Sequence, residues 1–417
     1  MDLTKKRWII LIASCFINLC IGSIYGWSVF AGPMAQYLSE ISGITYTAGT
    51  LAIVFTITNS VGPITMITGG RINDTFGPKK VIFFGGVLFG LGMILAGFSN
   101  SLPMLIVTYG IILGLGVGMI YGCTISNSVK FFPDKRGLVG GVTTAAYGFS
   151  SVIIPPVANY LITNFGITST FKIIGVVFLL IVCISSFFIE KCPENFVPQG
   201  WTPPVQNGAM NTKVNKDWKE MLSTPIFYVM ITLLTCGAFY GLMCTSLASA
   251  LAQNMIGMTA SSAAIVVSVL ALFNTSGRIF AGYISDKIGR INTLAAAFVI
   301  SICGLTCLYL SGEGDIALFY FGISVIGVCF GAFMGVFPGF TVDQFGPKNN
   351  SVNYGIMFIG FAVAGYIGPK VLNSVFAADG RYQRAFIIGV VVALIGLSLT
   401  FVYKHMQKKE VEKITNK

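Results

Sequence analysis

The chain has 417 residues, of which 54% are hydrophobic and only 10% are charged. A soluble domain typically carries about 25% charged residues, so this composition leaves too little polar surface for a soluble protein of this size. The net charge of +11 could indicate a nucleic-acid partner. However, the basic residues lie in short loops between apolar runs, which is typical of membrane proteins, and we expect no nucleic acid.

Long apolar runs follow one another along the whole chain. A bilayer core of about 30 Å needs roughly 20 apolar residues in a helix. Runs of this length occupy residues 8–31, 47–69, 80–99, 103–126, 138–162, 170–190, 225–249, 260–282, 292–311, 316–339, 352–376 and 384–403. The first run follows Lys5-Lys6-Arg7 as a signal peptide would, but it is too long for one and more runs follow. We predict an all-α polytopic membrane protein with twelve transmembrane helices.

The basic residues also predict an orientation. Of the 26 Lys and Arg, 21 fall on the side that carries both termini, four fall on the other side, and Arg278 lies inside a run. Because loops rich in Lys and Arg stay in the cytoplasm, we expect both termini to be cytoplasmic. The expected location is the cell membrane, plasma or inner, with the lipid bilayer as a partner.

A polar stretch divides the chain near its middle. Residues 191–224 contain Pro193, Pro198, Pro203 and Pro204 with mixed charges, which is typical of a linker. We therefore expect a six-helix half at 1–190, a cytoplasmic linker at 191–224, a second six-helix half at 225–405, and a cytoplasmic tail at 406–417.

The two halves repeat each other. Glycines, one aspartate and one tyrosine of the first half recur 212 to 215 residues later in the second. The matched sets are Gly70, Asp74 and Gly77 with Gly282, Asp286 and Gly289; Gly114, Gly118 and Gly122 with Gly327, Gly331 and Gly335; and Gly22, Tyr25 and Gly26 with Gly237, Tyr240 and Gly241. An offset of six helices indicates parallel repeats, and transporters of this build place substrate near the midplane and rock one half against the other.

A loop motif occurs once in each half. Residues 70–80 read GRINDTFGPKK, and residues 282–290 read GYISDKIGR. The second copy resembles the signature loop of the major facilitator superfamily, G-x-x-x-D-[RK]-x-G-[RK], in full, whereas the first copy has Thr75 at the basic position. The resemblance implies that this loop latches the outward-open state. The gating residues it implies are Asp74, Gly77, Asp286, Lys287, Gly289 and Arg290.

Further stretches resemble a narrower group, the oxalate–formate antiporter family and the related monocarboxylate transporters. They are Tyr25-Gly-Trp27, the run KFFPDKRG at 130–137, Ala146-Tyr147-Gly148, Asn274-x-x-x-Arg278, Phe337-Pro338 and Asn353-Tyr354-Gly355. The resemblance covers essentially the whole chain. It implies that a small organic anion is the partner.

Arg278 lies in the last third of the eighth run. Charge inside a span is costly and marks a functional site by default. The guanidinium could snorkel to the cytoplasmic interface. Because all fifteen Asp and Glu fall in loops, span ends or tails, we favour an anionic substrate as its partner, since Arg stays charged and its planar fork matches a carboxylate. In the resembling family the matching arginine binds the substrate carboxylate.

Two neighbouring positions refine the substrate. Asn274 lies one turn from Arg278 on the same helix face and could donate a second hydrogen bond to the substrate, although a purely structural hydrogen bond is the alternative. Animal monocarboxylate carriers commonly have an aspartate here that takes part in proton coupling. Oxalate carriers have a lysine where this chain has Phe361. One fixed charge favours a monoanion such as lactate, pyruvate or formate over a dianion.

Aromatic residues are expected to wall the substrate site, although ordinary packing is the alternative for each. The resemblance implies Tyr25, Tyr121, Tyr147, Phe330 and Phe358, and Tyr240 is the repeat mate of Tyr25. Buried tyrosine hydroxyls need partners, which a carboxylate can supply.

Energy coupling stays open between two alternatives. The only histidine, His405, is in the tail and no nucleotide-binding loop occurs, so we expect neither a buried histidine relay nor ATP. Proton symport is our first hypothesis, and exchange of carboxylates is the second. A transporter-like carboxylate sensor is a third alternative, and no motif indicates an enzyme.

The cysteines show no CxxC spacing, so we expect no metal or cofactor. We also expect a monomer.

Overall fold

The structure, a computed structural model, describes residues 2–194, 196–202 and 215–415. All regular structure in these ranges is helical, without a strand. Within them, eleven continuous helical stretches are long and apolar enough to cross a membrane. One stretch, Arg136–Ser186, joins two helices at Gly166, where φ is 76°. A left-handed φ is readily adopted only by glycine, and counting the two helices separately confirms the predicted twelve spans.

The twelve spans are numbered in chain order. The first six are α1 (Leu3–Ser42), α2 (Ala52–Phe76), α3 (Pro78–Ala96), α4 (Leu102–Phe131), α5 (136–165) and α6 (167–186). The second six are α7 (Pro225–Ser246), α8 (Ala260–Ile288), α9 (Arg290–Leu310), α10 (Ile316–Phe345), α11 (Asn350–Asp379) and α12 (Gln383–Thr415).

Four spans are interrupted. A tight 3-10 turn at Gly22–Gly26 divides α1, and a wider π-helical stretch at Ile106–Leu113 lies inside α4. Span α7 breaks at Leu247 and continues as a short helix, and α11 breaks at Phe358. Such irregular turns at membrane depth are tolerated where they are buried in protein or line a cavity.

The linker predicted at 191–224 is only partly described. Residues 195 and 203–214 lie outside the described residues, as do 416 and 417 of the predicted tail. A short helix, Trp218–Leu222, precedes α7 and begins with a capping box in which Asp217 and Glu220 accept each other's backbone N–H. Residues 406–415 of the predicted tail continue α12 as a helix.

The chain divides into two compact units that do not follow the linear halves. Unit 1 comprises Met1–Phe131, Ala146–Phe196 and Asn349–Ile356. Unit 2 comprises Phe132–Ala145, Val197–Lys348 and Met357–Lys417. The start of α5 therefore packs within unit 2, and the start of α11 packs within unit 1. These two helices are repeat mates.

Glycines set the closest helix approach in unit 1. A Cβ on Gly114 or Gly118 would overlap a backbone oxygen of α2, so only glycine permits this contact. The glycines step along α4 by four residues and so do their partners on α2. The pairs are Gly110 with Val54, Gly114 with Thr58, Gly118 with Gly62, and Gly122 with Met66.

The same device joins α8 and α10 in unit 2. The glycines of α10 lie against successive turns of α8, again in steps of four residues. The pairs are Gly327 with Leu270, Gly331 with Asn274, and Gly335 with Arg278. These glycines let α10 pack directly against the backbone of Asn274 and Arg278. The contact therefore fixes the position of both residues along α8.

Candidate functional site

Arg278 is buried inside unit 2, with 2% of its surface exposed. Its Nε donates to Asn274 Oδ1 at 2.9 Å, and its Nη1 donates to the backbone oxygen of Thr144 in α5 at 2.6 Å. Helical side chains lean toward the N-terminus of their helix, and both bonds hold the guanidinium on that side. It therefore does not snorkel toward the α8 end at Ile288.

The charge of Arg278 has no protein counter-ion among the described residues, because no carboxylate lies within ion-pair distance of it. Its two acceptors, an amide oxygen and a carbonyl, are neutral. Two of the five N–H donors are used, which leaves three for a further partner. A buried charge without a partner costs several kcal/mol, so the arrangement favours binding of an anion.

Two helices, α5 and α10, pack closely against the backbone of Arg278. A Cβ on Gly141 of α5 or on Gly335 of α10 would overlap the Arg278 carbonyl oxygen. The repeat-related position of the first half, 212 residues earlier, is Met66, whose side chain lies against Gly122, the repeat mate of Gly335. The first half therefore has an uncharged residue at the position that matches Arg278.

Aromatic rings of unit 2 form a stack. Phe361 lies parallel to Phe358 with centroids 4.6 Å apart, and parallel to Phe330 with centroids 6.3 Å apart. Phe330 is buried and packs on Gly241, where a Cβ would overlap its ring. Tyr240 faces a different neighbour, because its fully buried ring packs edge-on against Phe333 at 6.4 Å.

The three predicted tyrosines of unit 1 form one cluster. The ring of Tyr147 in α5 packs edge-on against that of Tyr25, with centroids 5.2 Å apart, and at a tilt against that of Tyr121 in α4, with centroids 4.7 Å apart. Tyr25 lies in the 3-10 turn of α1, and the neighbouring Gly22 allows the α1 backbone to touch the carbonyl oxygen of Tyr147. The turn therefore positions Tyr25 on the tyrosine of α5.

The second loop motif holds the start of α5. Asp286 accepts the backbone N–H groups of Gly137 and Leu138, each at 2.8 Å, and Arg290 at 2.6 Å. The first-turn N–H groups of a helix lack internal partners and favour a negative charge. Gly289, with φ of 89°, ends α8 and starts α9. Asp286 thus links the α8–α9 loop to the N-terminus of α5.

Sequence reasoning missed a second carboxylate beside Asp286. Asp343 of α10 pairs with Arg136 at 2.7 Å and with Arg290 at 2.9 Å. The internal repeat could have found it, because Asp343 lies 213 residues after Lys130. Lys287, predicted with this group, lies instead with its ammonium 4.4 Å from the ring centroid of Tyr283.

The first loop motif holds the start of α11 in the same way. Asp74 accepts the backbone N–H of Ser351 at 3.1 Å and of Val352 at 3.2 Å. It pairs with Lys130 at 2.8 Å. Gly77, with φ of 93°, ends α2. Thr75, at the position where the motif usually has a basic residue, hydrogen-bonds to the carbonyl oxygen of Arg71.

A polar network supports this second contact. Asn73 donates to Ser351 Oγ at 2.6 Å, Ser351 Oγ contacts Ser126 at 2.9 Å, and Asn350 donates to Ser126 at 2.8 Å. The two repeat-related contacts therefore differ chemically: unit 1 uses hydroxyl and amide groups where unit 2 uses two arginines and a second aspartate.

Comparison with known proteins identifies relatives across the chain. The family model described as Major Facilitator Superfamily matches residues 16–369. An uncharacterized MFS-type transporter, YhjX, of Escherichia coli (strain K12) is 30% identical, with 86% of each chain covered. The oxalate:formate antiporter of Oxalobacter formigenes is also 30% identical, over 97% of this chain and 93% of its own length.

More distant relatives agree. Human monocarboxylate transporter 12 is 22% identical over 97% of this chain and 82% of its own length. Among solved structures, the fucose transporter FucP in its outward conformation matches with a TM-score of 0.69 at 15% identity, over 95% of this chain and 99% of FucP. This last likeness concerns the fold alone.

Proposed function

Because the chain belongs to the major facilitator superfamily, we propose that it is a secondary transporter of small monocarboxylates of the lactate, pyruvate and formate type. Its membership and its membrane-length helices make it a multi-pass membrane transporter. The substrate class, the coupling and the site residues are the proposal. Alternating access, in which a site opens to one side of the membrane at a time, is the mechanism proposed.

The buried guanidinium of Arg278 carries the proposal. It is 2% exposed, makes hydrogen bonds only to neutral acceptors among the described residues, and keeps three N–H donors for a ligand. A carboxylate can accept two of them side by side. Asn274 Oδ1 already accepts the N–H of Arg278 Nε. The amide nitrogen of Asn274 is therefore the atom that remains to donate a hydrogen bond to the substrate.

The number of fixed positive charges in the proposed site indicates the charge of the substrate. Phe361 stands at the position where oxalate carriers have a lysine, and it stacks on Phe358 and Phe330. One fixed positive charge beside an apolar stack suits a small acid with one carboxylate and an apolar end. The name of the relative from Oxalobacter includes formate, a monoanion, and that of the human relative includes monocarboxylate.

Tyrosines complete the proposed site. Tyr25, Tyr121 and Tyr147 form one aromatic cluster. Together with Tyr240 they are proposed to supply hydroxyl groups and ring edges to the bound acid. Asp74, Gly77, Asp286, Lys287, Gly289 and Arg290 are proposed to gate access through the two loop motifs.

A proton is proposed to travel with the acid. Because the only histidine, His405, lies near the end of α12, the substrate carboxylate beside Arg278 is the proposed proton acceptor. Exchange of one carboxylate for another is the second candidate, favoured by the 30% identity to a protein named as an antiporter.

We also propose that the protein is a monomer, that both termini are cytoplasmic, and that the halves 1–190 and 225–405 rock against each other.

The test is uptake of labelled lactate, pyruvate, formate and oxalate into proteoliposomes containing the full chain. Arg278→Gln removes the charge while keeping a polar side chain, and Arg381→Gln, at an exposed site in the α11–α12 loop, is the matched control. We expect the first variant to lose at least about tenfold in uptake, since a hydrogen bond to a charged group contributes about 1.5–3 kcal/mol. Equal uptake by both variants would remove Arg278 from its proposed role.

The coupling is tested in the same vesicles. Uptake that an inward proton gradient accelerates, in vesicles with no acid inside, supports symport. Uptake that requires a preloaded carboxylate supports exchange and contradicts proton coupling. Preference for oxalate over formate would contradict the monocarboxylate assignment.

A further inference from the structure

An open groove of about 480 Å³ lies between α11 and α12 of unit 2. Its lining has two rows on α11, each with a spacing of four residues, and one wall on α12. The polar row is Tyr366, Lys370 and Ser374, the apolar row is Ile367, Val371 and Val375, and the wall is Ile388.

The groove opens toward lipid. Ile388 is 38% exposed and belongs to the exposed apolar side of α12, on which Ile387, Val391 and Ile395 are each 46–50% exposed. On a span, an apolar side that no protein covers is covered by lipid acyl chains. The occupant of a groove in this surface is therefore a molecule of the bilayer.

Lys370 gives the groove a positive charge at membrane depth. It lies nine residues before the end of α11 at Asp379, which at 1.5 Å per residue is about 14 Å along the helix. Its ammonium is 3.5 Å from the Tyr366 hydroxyl and 5.3 Å from the centroid of that ring. Within the described part of the chain no carboxylate pairs with it, so its charge is available to a ligand.

Basic residues are concentrated at this corner. Lys370, Arg381 and Arg384 are three of the four basic residues that the sequence assigns to the side opposite the termini. Only Arg384 is paired nearby, with Asp379 at 3.2 Å. Arg384 also lies one turn before Ile388 on α12. Lys and Arg are usually scarce on the side of the membrane opposite the cytoplasm. Three basic residues close together on that side therefore favour an anionic partner.

We propose that this groove binds one anionic phospholipid from the leaflet opposite the termini. The lipid phosphate pairs with Lys370 and accepts a hydrogen bond from the Tyr366 hydroxyl, which lies 3.5 Å from that ammonium. One acyl chain lies along the apolar row and against Ile388. Charge complementarity selects an anionic over a zwitterionic lipid, and the apolar row selects a lipid over a free phosphate. The proposal is independent of the transported substrate.

The test is native mass spectrometry of the full chain in detergent, titrated with phosphatidylglycerol or with phosphatidylcholine of the same acyl chains. Lys370→Gln removes the charge from the groove. Lys172→Gln is the matched control, because Lys172 is also a span lysine whose ammonium lies over an aromatic ring, 3.9 Å from the Phe98 centroid. Val371→Phe fills the apolar row and leaves Lys370 in place.

We expect one phosphatidylglycerol to bind the wild-type protein more tightly than phosphatidylcholine. Lys370→Gln should weaken it about fivefold or more, as expected for one basic residue near an anionic surface. Val371→Phe should also weaken it, and Lys172→Gln should not. Phosphatidylglycerol should raise the melting temperature of the wild type but not of Lys370→Gln.

Several outcomes would overturn the proposal. One is equal binding of the two lipids by the wild type. Another is unchanged phosphatidylglycerol binding by Lys370→Gln, or an equal loss in Lys172→Gln. Displacement of the lipid by millimolar glycerol 3-phosphate would show that the groove binds a free phosphate and not a lipid.

Discussion

Arg278 and Asn274 lie one turn apart on α8 and are joined by a 2.9 Å hydrogen bond from Nε to Oδ1. The bond uses the one guanidinium N–H that points back along its own helix, so the two Nη groups are held outward. Thr144 fixes Nη1 from α5. The guanidinium is thereby preorganised before any anion arrives, which reduces the ordering cost of binding.

Replacing Asn274 with Asp should weaken substrate binding. A carboxylate of the same size at the same 2.9 Å distance would neutralise Arg278 and compete with the acid. We expect KM for lactate or formate to rise about tenfold or more, the equivalent of one charge-assisted hydrogen bond. Asn274→Leu, which removes the acceptor without adding charge, should raise KM less. An equal KM in wild type and Asn274→Asp would contradict the proposed role of the charge.

Helix number could be predicted from the sequence, but helix ends could not. The apolar run at 8–31 corresponds to a helical region that extends over Leu3–Ser42. The apolar run reflects the thickness of the bilayer, whereas caps set the helix ends. Here these are Asp2, whose side chain accepts from Thr4, and Gly43 in the left-handed conformation.

Part of the candidate site could also be predicted from the sequence. The absence of acids from the interior of the apolar runs predicted a buried Arg278 without a carboxylate partner. The Thr144 partner could not be predicted, because its acceptor is a backbone oxygen 134 residues away and every residue type has one. The division of α5 and α11 between the two units depends on tertiary packing, which helical periodicity does not encode.

Gly331→Ala should displace the site while conserving every polar group. A Cβ at Gly331 would overlap the Asn274 carbonyl oxygen, and the backbone there cannot move aside as a flexible side chain would. Overpacking of this kind costs about 1–3 kcal/mol, so we expect a lower melting temperature and a large loss of uptake.

The matched control for this prediction is Gly365→Ala. There a Cβ would meet only Leu242, at an ordinary 3.5 Å. Alanine is the better helix former by about 1 kcal/mol, so stability should be kept or raised. Equal melting temperatures of the two alanine variants would show that α8 and α10 are not in the close contact described.

Asp286→Asn should destabilise the protein more than Asp343→Asn. Asp286 accepts two backbone N–H groups of α5 and Arg290, and an amide has one oxygen where the carboxylate has two. The loss of charge-assisted hydrogen bonds to the N-terminus of α5 is expected to cost about 1.5–3 kcal/mol.

Among the described residues Asp343 pairs with arginine side chains alone, and its side chain is 35% exposed. Ion pairs this accessible contribute little and are screened by salt. Thermal melting at low and high KCl measures both variants, and a salt-sensitive loss confined to Asp343→Asn is expected. A larger loss in Asp343→Asn would contradict the assignment of Asp286 as the main cap of α5.

Cys192 should resist alkylation in the folded protein. Burial raises the pKa of the Cys192 thiol to about 12, against which Lys130 acts more weakly. The thiolate, which is the reactive form, is therefore scarce at pH 8. The backbone N–H of Cys192 donates to Asn127 Oδ1 at 3.4 Å, so Asn127 helps to hold this segment against α4.

Maleimide labelling, read on the Cys192 peptide by mass spectrometry, tests this. Labelling should be slow in the wild type and faster in Asn127→Ala. Because the folded protein keeps this proton up to pH about 12 while an unfolded thiol loses it near 8.5, the thiol's contribution to stability should fall as pH rises through this window. Rapid labelling of the folded wild type at pH 8 would show that the thiol is not desolvated.

Phe361→Lys should change the preferred substrate charge. The ring of Phe361 lies parallel to Phe358 at 4.6 Å and to Phe330 at 6.3 Å, so the alkyl stem of a lysine can follow the same surface with its ammonium beyond it. A second cation offers a partner to a second carboxylate. Oxalate uptake should therefore rise relative to lactate and formate, whereas Phe361→Leu, which keeps the site apolar, should leave the ratio unchanged. If lysine and leucine alter the ratio alike, the packing of the stack and not the number of cations sets selectivity at this position.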